Sequence, residues 1–126
     1  MSVSALAIAG KEERDLYTKD VAPAVSAAQS AWKSSCGCPL AVKIDDSIMN
    51  SRYQLNQVKN LSDSISEEAP KYCTDAASKK AMCQMSTLAI VPAKAGAFTF
   101  KGGHGTATIT NDEVPSFPMI TAVLDK

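Results

Sequence analysis

No stretch of the 126-residue chain approaches the roughly 18 consecutive apolar residues that a membrane-spanning helix requires, so membrane insertion is not expected. The chain also has no excess of either charge, with 13 Lys and Arg against 13 Asp and Glu. The balance is local: residues 1–63 hold seven of each sign and residues 64–126 six of each. A nucleic-acid or anionic-membrane footprint needs a basic excess or stripe, so neither partner is expected. Histidine is nearly absent, His104 being the single one. That scarcity removes most acid–base catalysis at neutral pH. A Ser-His-Asp set can be written on paper from His104 with Asp112 or Asp75, but no nucleophile elbow supports it. The paired carboxylates Asp45-Asp46, Glu67-Glu68 and Asp112-Glu113 read as solvated or capping groups. Phosphate-loop and dinucleotide fingerprints, internal repeats and low-complexity stretches are missing as well.

What is present is an ordinary globular composition, 45% apolar and 21% charged. Surface scaling for this mass buries about two thirds of the unfolded surface, enough for one hydrophobic core. Ala5-Leu6-Ala7 matches the small-x-small pattern before a signal-peptidase cut. Residues 1–7 are therefore read as a signal-peptide remnant and residues 8–126 as a single domain. The four cysteines, an even number in a small chain, fit the same picture of a bacterial periplasmic or secreted protein.

Along the chain, Val21, Ala24, Val25, Ala28 and Trp32 recur at helical spacing, with Asp20 as the expected N-cap and Gly37 as the stop. Leu40, Val42 and Ile44 alternate with polar or small residues and predict a strand. Asp45-Asp46-Ser47 offers caps for a helix whose apolar stripe is Ile48, Leu55, Val58, Leu61 and Ile65, expected to end before Pro70. Thr74-Asp75 predicts the start of a shorter helix to about Met82. Thereafter Met85–Val91, Ala97–Lys101, Thr106–Thr110 and Met119–Leu124 read as strands, with hairpin loops at 93–96 and 102–105. The expected class is α+β: two to three helices packed on an antiparallel sheet made of one early strand and a C-terminal meander.

Two groups of residues invite a functional reading. Cys36-Gly37-Cys38 suits cross-pairing with Cys73 and Cys83, in either connectivity, each bridge contributing about 4 kcal/mol by the chain-entropy model. The competing readings are a strained Cys36–Cys38 bridge, or a soft-metal Cu(I) or thiol-redox site at Cys36 and Cys38. If 74–82 is helical, Cys73 and Cys83 lie about 15 Å apart, too far to bridge one another. In the second group, Lys101, Gly102, Gly103 and His104, exposed glycine N–H groups beside two basic side chains suggest an anion-binding loop. No cofactor is expected. The sequence thus describes an exported, disulfide-stapled domain that binds a protein or small ligand rather than an enzyme.

Overall fold

A computed structural model describes residues 10–126. The expected signal remnant at 1–7 lies outside the described residues. The first helix, α1 (Lys11–Leu16), runs through a π-helical turn at Tyr17–Val21 into α2 (Ala22–Cys36). Asp20 is therefore not an N-cap; it lies inside the wide turn. Pro23, in the first turn of α2, lacks the N–H for a normal helical bond and crowds the preceding turn, which the wider coil accommodates. α2 ends at Gly37, whose φ of 86° is the left-handed conformation that closes a helix.

Strand β1 (Ala41–Ile44) leads through a 3₁₀ turn at Asp46–Asn50 into α3 (Arg52–Tyr72). Ser51 caps α3 by accepting from the Gln54 N–H. Leu55, Val58, Leu61 and Ile65 all face the core, as their spacing predicts. Pro70 does not stop α3, which continues through it to Tyr72. Disruption at that point is confined to the last turn. The next helix, α4 (Ala76–Met82), has the predicted Asp75 cap, which accepts from Ser78 N–H at 2.7 Å.

The remaining strands are β2 (Thr87–Pro92), β3 (Ala97–Lys101) and β4 (His104–Ile109), followed by α5 (Phe117–Leu124). Their arrangement corrects the expected meander. The sheet order is β1-β2-β4-β3, and β2 runs parallel to both β1 and β4. Only β3 and β4 pair antiparallel. The 93–96 segment is consequently no hairpin; it carries the chain past the place where β4 inserts. The expected final strand at Met119–Leu124 is instead helical. Pro118 sits in the first turn of that helix, and Phe117, Ile120 and Leu124 bury one side of it. The class remains α+β, with a mixed sheet and more helix than expected.

Trp32, Met82 and Met85 are wholly buried in the single core, which disposes of Met82 and Met85 as exposed soft ligands. Cys36 is bonded to Cys73 and Cys38 to Cys83. The first bridge is buried, while Cys83 in the second is exposed. Gly37 makes this fan possible: its left-handed turn sends the two flanking cysteines to different partners.

Candidate functional site

Burial along the strands alternates, and the register aligns that alternation across the sheet. One side carries Val42, Leu88, Ile90, Phe98, Ala107 and Ile109 into the core. The other side consists of three cross-strand rows. The first is Lys101, His104, Thr87 and Ala41; the second is Thr99, Thr106, Ala89 and Lys43; the third is Ala97, Thr108 and Val91. Every residue in these rows is half-buried or exposed. No described element covers this face; Asp45, whose N–H donates to Ile90 in continuation of the β1–β2 register, adds one carboxylate beside Val91 at the end of the third row. Small side chains pave it between two lysines, which leaves a low surface open to a partner.

The turn Lys101-Gly102-Gly103-His104 forms one end of this face. Gly102 and Gly103 adopt φ of 58° and 85°, the paired positive values of a two-residue hairpin that favour glycine at both places. Gly103 contributes its carbonyl, which accepts from Ser86 N–H at 2.9 Å and Thr87 N–H at 3.4 Å, tying the turn to the start of β2. His104 and Lys101 form a cross-strand pair. On its other flank, His104 Nδ1 lies 2.6 Å from the Thr87 hydroxyl. The four residues singled out in the sequence are thus contiguous, and the structure adds Thr87, Lys43 and the threonines of the open face. Those additions depend on strand order, which no local motif encodes.

The carboxylates considered for a catalytic triad are engaged elsewhere. Asp112 Oδ1 accepts from Thr110, and Asp75 caps α4. The carboxyl of Asp75 is held below its ordinary range, first by the backbone N–H of Ser78 and then by the Ser78 hydroxyl. The Tyr72 phenol is pushed up by burial and by its hydrogen bond to Asp125, and Tyr17 by burial. No group of three or more His, Cys, Asp or Glu suited to a metal occurs among the described residues. With their sulfurs bridged, Cys36 and Cys38 present no thiolate pair to Cu(I).

Shallow cavities lie elsewhere on the surface. One of about 210 Å³ has Tyr72 and Phe117 in its wall, and another of about 200 Å³ lies between α2 and the start of β1. No helix of the described residues is long and apolar enough to cross a membrane. No family model matches the chain, and neither a curated protein nor a solved structure is significantly similar to it.

Proposed function

We propose that this chain is an exported domain, periplasmic or secreted, that works by binding a protein or small ligand on the open face of its sheet. The observation that carries this reading is the face itself, uncovered among the described residues: three rows of mainly small side chains with Lys43, Lys101 and His104 and a single carboxylate, Asp45, at one end. Two disulfides in a domain of this size support an oxidising compartment. At the end of that face, Lys101 and His104 flank the Gly102 and Gly103 backbone, so an anionic group of the ligand would be received there.

The test is a titration of the isotope-labelled protein with inorganic phosphate, followed by amide NMR. The amides of Gly102, Gly103 and His104 are expected to shift together, and Lys101→Glu to abolish the shifts. Uniform small shifts over all surface lysines would refute the anion site. The second reading, thiol or Cu(I) chemistry at Cys36 and Cys38, requires open bridges. A count of free thiols in the native protein is expected to be zero; two reactive thiols quenched by Cu(I) would favour that reading instead.

A further inference from the structure

The outer edge of β1 carries a separate feature. Ala41 N–H donates to Ser86 and Asp45 N–H to Ile90, so the odd-numbered residues of this strand face β2. Val42 and Ile44 therefore direct their backbone N–H and C=O groups outward, away from the sheet. Among the described residues, the outward N–H of Val42 is met by a side chain, Gln29 Oε1 at 2.8 Å. That oxygen occupies the place where the carbonyl of a further strand would sit. Ile44 N–H has no acceptor among the described residues.

The helix beside this edge is shaped to match. Ser26, Gln29, Ser30 and Lys33 follow one another on one face of α2 and, with Pro39 and Leu40, line the cavity of about 200 Å³. A strand laid along β1 would place alternate side chains over this cavity and the others beside Lys43 on the open face. Lys33 stands on the cavity side and Lys43 on the other, each level with the outward groups of Val42 and Ile44, while the carboxylates Asp45 and Asp46 lie beyond the end of the strand. Of these two acids, Asp45 accepts from the Ser47 hydroxyl at 3.0 Å.

We infer that the β1 edge is a docking strand for an extended, acidic segment of a partner protein, which pairs with Val42 and Ile44 after displacing Gln29. One side-chain hydrogen bond is exchanged for a short ladder of backbone bonds, and carboxylates on the two faces of the incoming strand meet Lys33 and Lys43. The site is separate from the Lys101–His104 turn and does not depend on anion binding there.

The test uses the full chain and an N-acetylated, C-amidated hexapeptide of alternating glutamate and valine. Amide NMR is expected to show the largest shifts at Val42 and Ile44, with slowed hydrogen exchange of the Ile44 amide. Gln29→Ala is expected to tighten binding several-fold and Lys33→Glu to weaken it by about the factor of ten that a lost charge-assisted contact represents. The same peptide with proline in place of each valine, unable to form the ladder, is expected not to bind. The inference is overturned if the β1 amides do not respond, or if a lysine–valine peptide binds equally well. It also fails if Gln29→Ala alone produces a stable dimer, because the edge would then belong to a second copy. Shifts confined to the Lys101–His104 turn would refute the edge while leaving the anion site standing.

Discussion

The side-chain carbonyl of Gln29, on helix α2, accepts a hydrogen bond of 2.8 Å from the backbone N–H of Val42 on the outermost strand. A helix side chain thereby satisfies a backbone donor that the sheet leaves open. Replacing Gln29 by Ala is expected to cost about 0.5–1.5 kcal/mol, the net worth of such a bond. For a domain of this size that is a fall of about 2–8 °C in Tm, measurable by calorimetry. Gln29→Glu keeps an acceptor in place and is expected to lose less.

Gly105 lies where β4 passes beneath Met85 and Phe98. A Cβ added there would overlap the Met85 sulfur and come within 2.9 Å of the Phe98 ring. Gly105→Ala is therefore expected to destabilise by about 1–3 kcal/mol through overpacking. Gly37→Ala meets no neighbour within 4 Å and carries only the backbone penalty of its positive φ. That penalty is about 1 kcal/mol. Denaturant unfolding of the two variants distinguishes a steric from a conformational cost.

The bridges close separations of 37 and 45 residues. The chain-entropy model assigns each about 4 kcal/mol. Removing Cys36 and Cys73 together as alanines is expected to cost more than removing Cys38 and Cys83, since the first pair is also packed in the core. Non-reducing peptide mapping is expected to recover fragments joined 36 to 73 and 38 to 83.

The Asp75 cap sets an acid limb. Its carboxyl is held low by Ser78, so the native state favours the ionised form. The stabilisation is present above the ordinary aspartate range and declines as pH falls through the depressed value. Tyr17 and Tyr72 act in the opposite sense, because their raised values favour the neutral phenol in the folded chain. Their contribution is complete below the ordinary tyrosine range and is lost as pH rises through the raised values. Thermal unfolding between pH 2 and 5 is expected to show the first limb, removed by Asp75→Ala. Ultraviolet titration is expected to find late-ionising phenols.

The helical parts of this fold were readable where burial and periodicity agree, as in the Leu55–Ile65 stripe of α3 or the Asp75 start of α4. They were misread where local chemistry points elsewhere. Residues 119–124 are rich in β-branched side chains, yet a run too short to show its period is helical because Phe117, Ile120 and Leu124 are drawn to one core face. Pro70 resembled a terminus because proline removes the bond to the carbonyl four residues back and crowds the preceding turn, yet the helix runs two residues past it before ending. Strand order was the larger loss. Thr106 and Thr108 look alike whether β4 joins a meander or inserts beside β2, since pairing is decided by contacts between distant segments. The Lys101–His104 turn was legible because paired glycines encode it locally; the surface it borders was not.

The two bridges interleave along the chain, the second beginning inside the loop closed by the first and ending outside it. A protease that hydrolyses one peptide bond between residues 39 and 72 leaves two pieces still joined twice, and a cut between 74 and 82 leaves them joined once. The nicked molecule keeps its mass, plus one water, until a reductant is added. As long as the bridges stay oxidised, a single clip anywhere over that span becomes a survivable injury rather than the loss of half the domain.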